Sequence, residues 1–283
     1  MPQDLLPPVV MVFAASDPSG GAGIQADIMT LSSLGCHPLT VLTALTVQDS
    51  AGVEDVLAVD ADWVAGQARA LLEDIAVDAF KIGMLASVEN IVAIAEILSD
   101  YPEIPCVLDP VLASGRGDEL TDADMIDALR ALLLPQTSVL TPNSHEARRL
   151  AFEEGDEARP PSLDECARRL VAAGAEHVLV TGTHENGAEV VNFLHDGSGR
   201  VRSDAWPRLP GSYHGSGCTL ASAIAANLAN GLGVAEAARD AQEYTWQALA
   251  KGFRPGMGQF FPDRFFWARE AGPFLRSPAP ETE

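Results

Sequence analysis

The chain reads as an α/β protein built on a doubly wound, mostly parallel sheet sandwiched by helices. Three observations predict it. Short apolar runs alternate with longer stretches of helical periodicity along nearly the whole length. Several of the apolar runs are continuous rather than alternating, as strands covered on both faces must be. With 283 residues, 47% of them hydrophobic, the chain is long enough to bury one large core.

The elements follow in order. Val9 to Ala14 reads as a buried strand, and after the glycine-rich stretch Ser19 to Gly23 a helix runs from Ile24 to Leu34, with Ile24, Ile28, Leu31 and Leu34 at helical spacing. A β-rich run, Leu39 to Val47, precedes a helix from Trp63 to Leu72. The alternation continues with strand Ala79 to Ile82, helix Val88 to Leu98, strand Cys106 to Leu108, helix Ala123 to Leu134, strand Ser138 to Leu140 and helix Ser144 to Ala151. Beyond the acidic, proline-bearing loop Glu153 to Pro161 come helix Leu163 to Ala173 and strand His177 to Val180. Two alternating runs, Glu189 to Leu194 and Arg200 to Trp206, flank a His-Asp-Gly-Ser-Gly turn and predict a hairpin. An alanine-rich helix, Leu220 to Ala229, closes the series. No stretch looks like a linker, so residues 1–270 are expected to form a single domain and 271–283 a disordered tail.

Composition excludes several classes. A formal charge of −22 with no basic block argues against a nucleic-acid or anionic-membrane partner. The four cysteines are far apart and form no CxxC pair, so neither a zinc knuckle nor a disulfide scaffold is indicated. The first residues lack a basic segment and are interrupted by Pro7 and Pro8, and no run of 18 apolar residues occurs. The expected setting is the cytoplasm.

In such a sheet, ligands bind beyond the carboxyl ends of the strands, which directs attention to the residues after each strand. Gly211 to Thr219 (GSYHGSGCT) lies just ahead of the alanine-rich helix. Gly215 and Gly217 would let backbone N–H groups approach an anion at the positive end of that helix, and Cys218 in its first turn would have a lowered thiol pKa. The plain alternative is a glycine break beside a buried cysteine. Ser16 to Asp27 (SDPSGGAGIQAD) fits neither GxGxxG nor the P-loop pattern, and neither lysine of the chain, Lys81 or Lys251, follows a glycine run, which excludes a P-loop NTPase. By itself that stretch is a tight strand-to-helix turn. Asp109 and Glu146, each near a strand end, suit magnesium held partly through water, while Asn143 and Glu146 equally suit a capping box. His37, His177, His184 and His195 lack metal-site spacing, the four tryptophans read as core or interface anchors, and no GxSxG elbow occurs.

Taken together, SDPSGGAGIQAD, TALTVQDSAGV, KIGML, VLDPV, LLPQTSVLTPNSHEA and HGSGCTLASAIA, in that order from Val9 to Phe261, resemble the hydroxymethylpyrimidine and phosphomethylpyrimidine kinases of thiamine biosynthesis, members of the ribokinase-like superfamily. The resemblance implies a usually dimeric enzyme that uses ATP and Mg2+ to phosphorylate 4-amino-5-hydroxymethyl-2-methylpyrimidine and then its monophosphate. It implies that Asp27 and Gln48 hydrogen-bond the pyrimidine, with Gly21 beside them, and that Met84 and Val111 wall the ring. Asp109, Asn143 and Glu146 fall near the metal and the ATP phosphates, and Thr181 and Thr183 at the nucleotide. Gly215, Ser216 and Gly217 form the anion hole, and Cys218 stands where related sugar kinases carry a catalytic aspartate, as a thiolate that takes or orients the substrate's hydroxyl proton. One departure is clear: Thr181 replaces a lysine that many relatives place at the ATP phosphates, with Arg116 a candidate substitute. Rival readings are a pyridoxal kinase of the same superfamily and a non-catalytic pyrimidine-binding module.

Overall fold

The computed structural model describes residues 6–113, 120–157 and 160–269. Among these residues, nine strands form one sheet in the order β3-β2-β1-β4-β5-β6-β7-β8-β9. β1 (Val9–Ser16) pairs in parallel with β2 (His37–Gln48) on one side and β4 (Ala79–Ile82) on the other. β4 leads in parallel to β5 (Cys106–Leu108), β6 (Val139–Leu140) and β7 (His177–Val180). Three pairings are antiparallel: β3 (Val53–Ala58) on β2, and the hairpin of β8 (Glu189–Asp196) and β9 (Gly199–Pro207) on β7.

Helices cover both faces, as the continuous apolar strands require. α1 (Gly23–Ser33), α7 (Ser216–Ala229) and α8 (Val234–Ala250) pack on one core. α2 (Ala61–Leu72), α3 (Val88–Ser99), α4 (Ala123–Ala128), α5 (Ser144–Leu150) and α6 (Leu163–Ala172) pack on the other. The helix expected over 123–134 is interrupted: α4 widens into a π turn at Leu129–Leu133 and tightens into a 3-10 turn at Leu134–Gln136, where Pro135 cannot donate to an α ladder. β3 and α8 lie outside the elements read from sequence. β3 carries Glu54 and Asp55 and buries none of its residues, so it has no apolar run to announce it. The region expected as a tail lies outside the described residues, and no described helix is long and apolar enough to cross a membrane.

One charged pair ties the sheet to its helices. Lys81, at the centre of the apolar β4, is fully buried and donates to Asp27 Oδ2 of α1 at 3.0 Å. Asp27 Oδ1 accepts from Ser222 Oγ of α7 at 2.7 Å, so both helices are fixed to the strand beneath them. Breaking a buried pair leaves a charge without solvent or partner. Lys81→Met or Asp27→Leu alone is expected to destabilise the protein by about 3–5 kcal/mol, and the double variant Lys81→Met/Asp27→Leu by clearly less than the sum, measured by urea unfolding.

Candidate active site

The chain leaves β1 towards β2 on one side and returns through β4 to β7 on the other, so a crevice opens between the strand ends where the direction switches. A cavity of about 510 Å3 occupies it. Met84 follows β4, Asp109 and Val111 follow β5, Asn143 and Glu146 follow β6, and Thr181 and Thr183 follow β7. All seven line the cavity, as does Gln48 at the end of β2. Val111 holds φ at +35°, a conformation a β-branched residue adopts only where its surroundings impose it. Glu146 is one such constraint, because its Oε1 accepts from the Leu112 N–H at 3.2 Å.

The opposite wall is the start of α7. Gly215 adopts φ +79°, and a Cβ there would overlap the Gly21 carbonyl oxygen, so the two loops meet backbone to backbone. No side chain caps α7, which leaves its first N–H groups free at the positive end of the helix. Arg264, 3% exposed, clamps the contact: Nη2 donates to the Gly21 carbonyl at 2.6 Å and Nε to Thr219 Oγ1 at 3.0 Å. Gly217, Ser216 and Cys218 line the cavity beside Asp109, whose Oδ2 lies 3.5 Å from where a Cβ on Gly217 would sit.

Two buried carboxylates form the floor. Burial pushes Asp109 up to about 6, against the pull of the Lys81 charge. Burial and the Asp109 charge push Glu146 up to about 7, although the N–H groups of Asn143 and Leu112 bond it. Glu146 Oε2 accepts from Asn143 N at 2.9 Å while Asn143 Oδ1 accepts from Glu146 N at 3.0 Å, so the capping box is present within the site itself. Two desolvated oxygen donors destabilised as anions suit a hard divalent cation, and magnesium takes only one or two protein carboxylates beside substrate phosphates.

Cys218 departs from expectation. Desolvation pushes its thiol up to about 12 despite the opposing Lys81 charge, so in the ligand-free protein it is a thiol rather than the thiolate expected at a helix start. The Asp109 carboxylate and the Gly23 backbone both bear on its ionisation.

Two sequence assignments need correction. Asp27 is fully buried against Lys81 and Ser222 and does not reach the cavity. Gly21 does not line it either: a Cβ there would strike the His214 ring, so its glycine serves the packing of His214 and Phe261. Arg116 lies outside the described residues. Sequence reasoning gave no role to Asp17, His214, Lys81 or Arg264. A lysine inside the otherwise apolar strand AFKI was the available signal, since such a charge needs a buried partner. Arg264 had none, being remote in sequence from both glycine loops it joins.

A glycine loop and an uncapped helix start facing buried carboxylates across a cleft define a phosphotransferase-type α/β enzyme. The sequence pattern of the phosphomethylpyrimidine kinase family matches residues 17–263, and the chain belongs to that family. It is 41% identical over 256 residues to the hydroxymethylpyrimidine/phosphomethylpyrimidine kinase of Streptomyces coelicolor, covering 89% of this chain and 92% of that one. The Escherichia coli enzyme of the same name is 36% identical over 241 residues, 85% of this chain and 90% of its own. Among solved structures, Staphylococcus aureus pyridoxal kinase in complex with pyridoxal superposes with a TM-score of 0.81 at 28% identity, covering 93% of this chain and 95% of that one. Clostridium difficile phosphomethylpyrimidine kinase gives 0.71 at 32% identity, covering 86% and 99%.

The raised carboxylates make a pH prediction. Asp109 starts from 3.8 and Glu146 from 4.5, so the folded state binds more protons than the unfolded one between about pH 4 and pH 7. Stability of the ligand-free protein therefore falls as pH rises through that window. Asp109→Asn removes one contribution, and it is expected to be more stable than the wild type by about 2 kcal/mol at pH 8, the gain shrinking toward pH 4, in magnesium-free calorimetry.

Proposed function

We propose that the chain is an ATP-dependent kinase that phosphorylates the hydroxymethyl group of 4-amino-5-hydroxymethyl-2-methylpyrimidine and then the resulting monophosphate, in thiamine biosynthesis. The observation that carries the reading is the free helix start at Gly215–Cys218, held beside Asp109 in the cleft. Gln48, Met84 and Val111 form the pyrimidine end. Asn143, Thr181 and Thr183 lead toward the nucleotide end, where Val190, Leu249 and the stacked Trp206–Trp246 pair offer apolar surface to a base.

In the mechanism, the N–H groups of residues 216 to 218 take the charge that spreads over the equatorial oxygens of the transferring phosphoryl group. Cys218, as a thiol, orients the attacking hydroxyl oxygen. A loose transition state needs little proton removal before the oxygen attacks, so orientation is the larger contribution. Asp109 and Glu146 would hold magnesium, which when bound neutralises charge on the ATP phosphates. A homodimer belongs to the same reading: Leu45 and Leu57, paired across β2 and β3, are 46% and 66% exposed and leave an apolar sheet edge for a second copy.

The high similarity to pyridoxal kinases makes pyridoxal the specific competitor. With Mg-ATP, the purified protein is expected to convert the hydroxymethylpyrimidine to mono- and then diphosphate in a product-resolved assay. Turnover of pyridoxal with neither pyrimidine product would overturn the reading, and pyrimidine binding without turnover would favour a binding module. Cys218→Ala is expected to lower kcat about 100-fold, and Cys218→Ser to recover most of that loss, because a hydroxyl also orients the oxygen.

A further inference from the structure

We propose that Arg208 is the cation of the nucleotide end: its guanidinium gathers the loop between β7 and β8 into one wall of the cavity and, without a carboxylate partner, attracts the polyphosphate of ATP. The inference rests on the kinase reading and names the residue that recognises the charged part of the nucleotide.

Among the described residues, the lysine and arginine side chains lining the cavity are those of Lys81 and Arg208. Lys81 faces the Asp27 carboxylate at 3.0 Å, so its charge is balanced where it lies. Arg208 is placed differently. It follows β9 directly, and its backbone N–H donates to the Ala188 carbonyl at 2.9 Å. Trp246 Nε1 of α8 donates to the Pro207 carbonyl at 2.9 Å and so holds the same segment from the other side. The backbone that carries Arg208 is thereby fixed beside the stacked Trp206–Trp246 pair.

The guanidinium bonds only to main chain. Nε donates to the Gly187 carbonyl at 2.9 Å, Nη1 to the Thr183 carbonyl at 2.8 Å, and Nη2 to the Glu185 carbonyl at 2.7 Å and the Glu189 carbonyl at 3.5 Å. Carbonyl oxygens satisfy its N–H groups but carry no net charge, so the full positive charge remains. Among the described residues no carboxylate pairs with it. Glu185, whose carbonyl it holds, gives its own carboxylate to Arg148 at 2.9 Å.

The gathered loop includes Thr183 and His184, which line the cavity. The charge is felt at that wall: burial, His145 and Arg208 together hold the His184 imidazole below its ordinary value. A wall that disfavours a second cation favours a polyanion for the same reason. Adenosine meets the shape of this wall without presenting phosphate to its charge. Arg208 therefore separates ATP from adenosine, whereas an arginine that only shaped the loop would support both alike.

The test measures Kd for ATP by calorimetric titration and for adenosine by displacement, in the wild type, Arg208→Gln and Arg208→Lys. Expected is an ATP-over-adenosine ratio that falls at least about tenfold in Arg208→Gln, with adenosine affinity within about threefold of the wild type. Arg208→Lys keeps the charge but cannot reach all the carbonyls from one nitrogen, and its ratio is expected to stay within about threefold of the wild type. Equal losses for ATP and adenosine in Arg208→Gln overturn the proposal, as does a ratio that falls as far with Lys as with Gln. A wild-type ratio under about tenfold also overturns it, and that measurement needs no variant to fold. Binding is read without turnover, so a wild type that binds ATP but phosphorylates no pyrimidine overturns the proposed activity alone. One that binds no ATP overturns both.

Discussion

The arrangement of the cavity depends on one close approach, the backbone of Gly215 against the carbonyl of Gly21. Any side chain at Gly215 would separate the α7 start from the glycine loop, and the free N–H groups would no longer stand beside Asp109. The approach is held by Arg264, whose guanidinium reaches the Gly21 carbonyl and Thr219 from a position 45 residues beyond Thr219. It is supported from below by Lys81 and Asp27, which fix α1 and α7 to β4. The site is therefore a property of the interface between the sheet and one helix layer rather than of any single loop.

This explains which parts of the site were legible in the sequence. Residues that act through their own backbone or immediate neighbours, such as Gly215, Gly217 and the Asn143–Glu146 capping box, announce themselves by local pattern. Residues that act through distant partners do not. Asp27 sits inside a glycine motif and looks like a ligand contact, but a buried lysine from another element claims it. Asp17, ten residues earlier in the same motif, reaches the cavity because β1 ends beneath it. The fold was legible for the corresponding reason: continuous apolar strands and amphipathic helices are local signals. β3 escaped because an edge strand with exposed residues carries no burial pattern, and the break after α4 because π and 3-10 turns share the apolar spacing of a helix.

Cys218 shows where a local rule was outweighed. A cysteine in the first turn of a helix is ordinarily easier to ionise, because the N-terminal N–H groups favour the thiolate. Here the half-buried thiol sits among close-packed groups near Asp109, and desolvation outweighs the helix start. The consequence is a site in which the reactive groups of the empty protein are held in their neutral forms: a thiol at Cys218, and carboxyls at Asp109 and Glu146 that ionise only near neutrality.

That neutrality bears on how a chain of charge −22 holds polyanionic substrates. The acidic surface is spread over exposed side chains, where water and salt screen it within about 10 Å. The cavity instead draws on sources that screening does not reach: the helix start at α7, the fully buried Lys81 and the nearly buried Arg264. Lys81 faces Asp27, so its charge is locally balanced, whereas Arg264 is bonded at the site to uncharged oxygens of Gly21 and Thr219. A guanidinium spent on carbonyls keeps its positive potential for the space behind the anion hole. The arrangement places the Arg264 guanidinium behind the α7 start, in a site where Thr181 supplies no cation.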